Sequence, residues 1–159
     1  MPAGIRHMGT EHTKGAREIE IFSRFVSASK LPIDLGTIEK REPPQPDLLC
    51  THLDDGPVAF ELVEICDHNL AEFMSTVSEG GAYYMRTSDP SSQIVRKKLR
   101  RRYQTDYPIE LLCYTDGRVI TPANVILPTI RQYMASWRGP FRRVWLLSRG
   151  DVHYVWSAA

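Results

Sequence analysis

Two acidic residues in this chain are spaced in a way that can hold a divalent metal ion. Asp47 follows Pro46, and Glu61 lies within the largely apolar segment Val58–Ile65. An ionised carboxylate among apolar neighbours is costly unless it meets a cation or a hydrogen-bond donor. Because Mg²⁺ prefers a few carboxylates together with waters and phosphate oxygens, Asp47 and Glu61 are candidate ligands of Mg²⁺ or Mn²⁺. Taken singly, each is more simply a turn residue or the partner of an arginine.

Two further residues face the expected core on helices. At 100° per residue, Glu18 falls inside the apolar arc of the first predicted helix, with Gly15 one turn earlier leaving room for another element. Lys98 is the one lysine on the packing side of a later, very basic helix. A charged side chain on the core face of a helix needs a partner or a function. One interpretation is that Glu18 reaches solvent at the edge of the apolar stripe and that Lys98, with Arg102, neutralises a buried carboxylate.

The basic helix carries six cationic residues in seven positions, from Arg96 to Arg102. A solvated face is the commonest meaning of such a run. The helical wheel nevertheless directs four of these side chains outward, where they are candidates for binding nucleic-acid phosphates without reading sequence. These four are Arg96, Lys97, Arg100 and Arg101. Arg86, Arg142 and Arg143 are further candidates for the same contacts.

The charges are segregated along the chain, although the net charge is only +1. Between Glu39 and Glu79 there are ten acidic and two basic residues, whereas from Arg86 onward there are thirteen basic and five acidic ones. One part therefore suits cations and the other suits phosphates. This division favours nucleic acid, most simply DNA, as a partner.

The expected elements place these residues on one α/β or α+β sandwich with a mixed sheet. The predicted order is a helix, three strands, two helices, a strand, a helix and two strands. The predicted ranges are a helix over Thr10–Ser29, strands at Gly36–Arg41, Asp47–His52 and Val58–Ile65, helices from Asp67 or Asn69 to Val77 and over Ser91–Tyr103, a strand at Ile109–Tyr114, a helix over Pro122–Trp137, and a hairpin of Arg143–Leu147 with Val152–Trp156. We expect residues 1–9 to form a flexible N-terminus and residues 10–159 to form a single domain.

This order, with Pro46-Asp47 before the segment Phe60-Glu61-Leu62-Val63, resembles the PD-(D/E)XK nuclease superfamily. The resemblance covers roughly residues 10–115 and implies a restriction-endonuclease-like core of a helix, a three-strand meander, a crossover helix and a fourth strand. It also implies that a glutamate of the first helix, here Glu18, completes the metal site. The departure is Val63, which stands where the family usually has lysine, and Lys98 is the candidate replacement from the following helix.

Two functions follow as expectations. The first is a metal-dependent phosphodiesterase that cleaves nucleic acid, with Asp47, Glu61, Glu18 and Lys98 as its site. The alternative is a nuclease-fold module that has lost catalysis and binds nucleic acid or a protein partner, which Val63 would explain directly. With no apolar run long enough for a bilayer and no signal peptide at the start, the sequence predicts a cytoplasmic protein. A homodimer through the basic helix or the closing hairpin is left open.

Overall fold

The computed structural model describes residues 4–66, 91–117, 122–136 and 139–157. In these residues the chain has an α+β architecture, with one six-stranded mixed sheet and three helices. None of the described helices is both long enough and apolar enough to cross a membrane. The helix that we predicted between Asp67 and Val77, and the tract that follows it, lie outside the described residues.

The first helix, α1 (Gly4–Ser29), ends where Lys30 takes a left-handed backbone conformation with φ 58°. Its amphipathic spacing buries Phe22 and Phe25 completely. The helix begins at Gly4, earlier than the predicted start near Thr10.

The sheet begins with an antiparallel meander of β1 (Ile33–Lys40), β2 (Leu48–His52) and β3 (Gly56–Glu64). The turn before β3 needs Gly56, whose φ of +81° is strained for residues with a Cβ atom. β2 starts at Leu48, so Asp47 lies just before the strand.

The second half of the sheet is parallel and then closes with a hairpin. Helix α2 (Ser91–Arg100) precedes β4 (Ile109–Tyr114), and helix α3 (Ala123–Ser136) connects β4 to β5 (Phe141–Ser148) before β6 (Asp151–Ser157). β3, β4 and β5 are parallel neighbours, and the strand order is β1-β2-β3-β4-β5-β6. At the outer strand β6, the Arg131 guanidinium of α3 donates hydrogen bonds to the backbone carbonyls of Tyr154 and Val155.

Apolar side chains cover both faces of the sheet. On one face, α1 packs against β3 through a cluster that includes Phe22, Phe25 and Phe60, with ring centroids 4.8–6.0 Å apart. On the other face, α2 and α3 supply Val95 and Ile130 to a second cluster. Successive β3 side chains alternate between these clusters, as the period of a strand requires.

Candidate active site

A hydrogen bond links Asp47 to Glu61 where β2 begins. The Asp47 backbone N–H donates to Glu61 Oε1 at 3.1 Å, and the Leu62 backbone N–H donates to Asp47 Oδ2 at 2.9 Å. Leu48, the first residue of β2, pairs with Phe60, so β2 begins beside the point where Asp47 meets Glu61, while β3 continues to Glu64. Among the described residues, Asp47 Oδ1 and Glu61 Oε2 accept no backbone hydrogen bond.

Glu61 is almost completely buried, with 1% of its surface exposed. Burial first, and then the hydrogen bond and charge of Asp47, together raise the pKa of the Glu61 carboxyl from 4.5 to about 7. The charge of Lys98 acts in the opposite direction but does not cancel these effects. The pair therefore carries a proton that is readily exchanged near neutral pH, at a place where a cation would relieve the same repulsion.

Two cations approach the remaining oxygen of Glu61. Lys98 Nζ lies 3.3 Å from Glu61 Oε2, and Arg101 Nη1 lies 3.6 Å from the same oxygen. Val95 and Leu99 anchor the buried side of α2, which leaves Lys98 half-buried and directed toward β3. The structure thus brings Lys98 to Glu61 and adds Arg101, which we had placed outside the packing arc.

Tyr103, the last residue of the helix predicted over Ser91–Tyr103, is a further neighbour of Glu61. Its ring lies 5.8 Å from the ring of Phe141, and its buried hydroxyl forms no hydrogen bond of good geometry within the described residues. Burial and the nearby Glu61 carboxylate raise the pKa of the Tyr103 hydroxyl, which therefore stays protonated. No sequence motif marks this position, because Tyr103 follows the end of α2 and reaches Glu61 only through the fold.

Glu18 is buried, with 5% exposed, but it lies beside a lysine. Lys40 Nζ is 2.6 Å from Glu18 Oε2 and 3.9 Å from Asp47 Oδ1, so Lys40 stands between the two carboxylates. The Lys40 side chain passes over Gly15, where an added Cβ would lie 3.5 Å from Lys40 Cε. Burial alone would lower the pKa of Lys40, but the hydrogen bond and charge of Glu18 raise it overall.

Lys40 was missed from the sequence, although one signal pointed to it. In a meander, the end of the first strand lies beside the start of the second, and here Lys40 pairs with Leu48, next to Asp47. The position of a basic residue just before the loop that leads to Asp47 was therefore informative.

The outward basic residues of α2 are exposed as predicted, since Arg96, Lys97, Arg100 and Arg101 all reach solvent. The Arg96 guanidinium lies over the ring of Tyr133, 5.7 Å from its centroid. The expectation that Arg102 faces the core is wrong, because α2 ends at Arg100 and Arg102 is exposed beyond it.

Arg142 and Arg143 lie away from this cluster and have acidic partners. Arg142 Nε donates to Glu110 Oε2 at 3.0 Å, and both arginines approach Asp55. Glu110 is 1% exposed and also accepts a hydrogen bond from the Trp145 indole N–H at 2.8 Å. The predicted strand Ile109–Tyr114 therefore contains a buried carboxylate, and its two arginines neutralise that charge.

The donor chemistry of Asp47 and Glu61 fits a small divalent ion that keeps several of its waters. Two carboxylates where β2 begins beside β3 satisfy that preference, and the Asp47 side chain is 21% exposed. Within the described residues, no three His, Cys, Asp or Glu side chains are grouped for metal binding. Glu18, predicted as a third ligand, instead pairs with Lys40.

No protein-family model matches this chain, no curated protein is significantly similar to it, and no solved structure matches it significantly. Fold and site therefore define a class only: an α+β domain that places a half-buried aspartate, a buried glutamate and a lysine together where β2 begins beside β3 in a mixed sheet.

Proposed function

We propose that this protein is a metal-dependent phosphodiesterase that cleaves nucleic acid at the Asp47–Glu61 pair. The observation that carries the proposal is a pair of backbone hydrogen bonds, from Asp47 N–H to Glu61 and from Leu62 N–H to the Asp47 carboxylate. Lys98 Nζ lies 3.3 Å from Glu61 in the same place. A carboxylate pair in which one member has a pKa of about 7 is electrostatically suited to exchange its proton for a cation. The distance from Lys98 to Glu61 supports the proposal that Lys98 replaces the strand lysine of the PD-(D/E)XK pattern.

The element order supports this proposal. A helix, a three-strand meander, a crossover helix and a parallel fourth strand match the order of the restriction-endonuclease-like core. Val63, at the position of the family's lysine, packs partly buried against the apolar cluster under α2 and α3. The charge that the strand lacks is supplied from α2, one helix later, by Lys98.

The roles of the residues follow from their contacts. Asp47 and Glu61 would hold Mg²⁺ or Mn²⁺ through the oxygens that accept no backbone hydrogen bond. When bound, such an ion stabilises charge on a phosphate and promotes deprotonation of water. Lys98 positions the attacking water and offsets negative charge that develops on the phosphate. Lys40 bridges Glu18 and Asp47, and its charge offsets the repulsion between the two carboxylates.

The substrate class follows from charge. The exposed cations of α2 lie on the same helix as Lys98, so they can bind the phosphates on either side of the one that is cleaved. These contacts carry no base readout, and DNA is the simplest substrate for them.

Arg101 favours a second candidate function. Its guanidinium and Lys98 together neutralise Glu61 without any ion, which is the arrangement expected of a nuclease-fold module that binds nucleic acid or a protein and does not cleave. In that case, neither Mg²⁺ nor Mn²⁺ would bind appreciably.

Cleavage assays separate the two functions. Supercoiled, linear and single-stranded DNA, and RNA, would be incubated with Mg²⁺ or Mn²⁺ and wild type, Asp47→Ala or Lys98→Ala. Asp54→Ala, which changes an exposed turn carboxylate, is the matched control. The nuclease proposal expects loss of cleavage in the first two variants, with folding retained and the control unaffected. If wild type cleaves none of these substrates, the non-cleaving binding module becomes the better description of the protein.

A further inference from the structure

An open groove adjoins the carboxylate pair where α2 ends. One wall is the segment from Leu99 to Tyr103, and the other is formed by Gly139 and Pro140 before β5. Arg101, which contacts Glu61, is therefore one of the residues that line the groove.

The wall opposite the arginines depends on a glycine. Gly139 has a φ of +59°, and a Cβ atom there would lie 2.9 Å from Leu99 Cδ2 and 3.0 Å from the Leu99 carbonyl oxygen. The turn before β5 can approach the end of α2 this closely only because position 139 has no side chain. Since Tyr103 also packs on Phe141, both walls are fixed by the core.

Three consecutive arginines give the groove its charge. Arg100 and Arg102 are exposed, and neither has an ion-pair partner in the part of the chain that the structure describes. Arg101 is shared between groove and carboxylate pair, because its guanidinium lies 5.5 Å from the Tyr103 ring centroid and 3.6 Å from Glu61 Oε2. With 42% of its side chain exposed, Arg101 has room to turn from Glu61 toward a ligand in the groove.

We propose that this groove binds the phosphates of a nucleic-acid strand next to the phosphate that is cleaved, and that Arg101 couples this binding to metal binding at Asp47 and Glu61. The inference rests on the proposed function, whose site it extends. Without ligands, Arg101 occupies the carboxylate that the ion needs. A phosphate in the groove draws Arg101 away, so each ligand favours the other, and the coupling is reciprocal by thermodynamic linkage.

Calorimetric titration of the full chain with Mn²⁺ tests the coupling. The titration would be done with and without an excess of a phosphorothioate-linked oligothymidylate, which resists cleavage. For wild type, we expect the oligonucleotide to tighten Mn²⁺ binding by about fivefold or more, as in typical coupled sites. A duplex of the same length would show whether the groove takes one strand or two.

The informative variant is Arg101→Gln, which removes the charge and retains hydrogen-bonding capacity. Without oligonucleotide it should bind Mn²⁺ about two- to fivefold more tightly than wild type, because a surface ion pair of this kind no longer competes. In this variant, the factor by which the oligonucleotide tightens Mn²⁺ binding should fall to less than half of its wild-type value. Arg24→Gln makes the same charge change on α1, on the other face of the sheet, and should behave like wild type.

The inference is wrong if Arg101→Gln matches wild type in both titrations, or if wild type binds no Mn²⁺. Cleavage, measured separately with phosphodiester DNA, distinguishes this inference from the proposed reaction. Coupling without cleavage would support the proposed role of the groove and of Arg101 and would contradict the nuclease function. Cleavage without coupling would support the nuclease function and would contradict the proposed role of Arg101.

Discussion

Replacing Glu61 with glutamine should stabilise the protein at pH 8 and change its stability little at pH 5. Burial, followed by the charge of Asp47, raises the pKa of Glu61 from 4.5 to about 7 in the folded protein. Between these values the folded state holds a proton that the unfolded chain has lost, so stability falls as pH rises and the loss is complete above pH 7. Each pKa unit corresponds to about 1.4 kcal/mol, so above pH 7 the shift from 4.5 to about 7 lowers the free energy of unfolding by about 3 kcal/mol.

Glutamine mimics the protonated carboxyl. Its carbonyl oxygen can accept the Asp47 backbone N–H, and its amide can donate to the Asp47 carboxylate. The free energy of unfolding of Glu61→Gln should therefore exceed that of wild type by about 3 kcal/mol at pH 8 and by less than about 1 kcal/mol at pH 5. Lys98, which loses its partner, is partly exposed and can turn to solvent.

Urea unfolding in EDTA at the two pH values measures this difference. The matched control is Glu110→Gln, since Glu110 is buried to the same extent but is bonded to Arg142 and Trp145. Removing its charge should destabilise the protein at both pH values, because a buried ion pair is broken. Added Mg²⁺ should stabilise wild type at pH 8 and leave Glu61→Gln unchanged.

The reasoning is refuted if Glu61→Gln is less stable than wild type by a similar amount at both pH values. That result would mean that Lys98 and Arg101 fully compensate the buried charge of Glu61. The carboxylate pair would then be a structural ion-pair cluster with no tendency to take up a cation.

Three further predictions concern neighbouring contacts. Lys98→Met should raise the pKa of Glu61 further, since the charge of Lys98 lowers it, and the carboxyl carbon-13 titration should show this shift while Lys97→Met does not. Gly139→Ala should cost about 1–3 kcal/mol in urea unfolding, and more than Gly117→Ala, whose added Cβ meets nothing within 4 Å; equal costs would contradict the close approach to Leu99. Arg142→Met should destabilise by about 3 kcal/mol because it leaves Glu110 buried without its main partner, whereas Arg143→Met should cost under about 1 kcal/mol.

The elements that follow from local pattern were predictable from the sequence. Helical spacing of Phe22 and Phe25 gave α1, and the turn ending at Gly56 separated β2 from β3. The end of α2 was not predictable, because nothing from Arg101 to Tyr103 breaks a helix. The helix stops there in the fold, where Leu99 meets Gly139, forty residues away along the chain.

Some residues of the candidate site follow from local sequence pattern, whereas others depend on contacts between distant parts of the chain. Glu61 and Lys98 were chosen because strand and helix periodicity directs each toward the core, and Asp47 was chosen because it follows Pro46 next to the neighbouring strand. Lys40 and Tyr103 were missed because their places depend on which strand ends and loops meet in space. Glu110 was overlooked because one carboxylate in the segment Ile109–Tyr114 leaves its apolar character intact.

The Arg131 contacts at β6 also bear on how copies of this chain can associate. A dimer that continued the sheet from β6 would have to displace the guanidinium from the carbonyls of Tyr154 and Val155. The opposite edge, β1, is interrupted by an irregularity between Asp34 and Glu39, which spoils the flat template that strand addition needs. Both outer strands of the described sheet are therefore poor templates for edge-to-edge pairing with another copy.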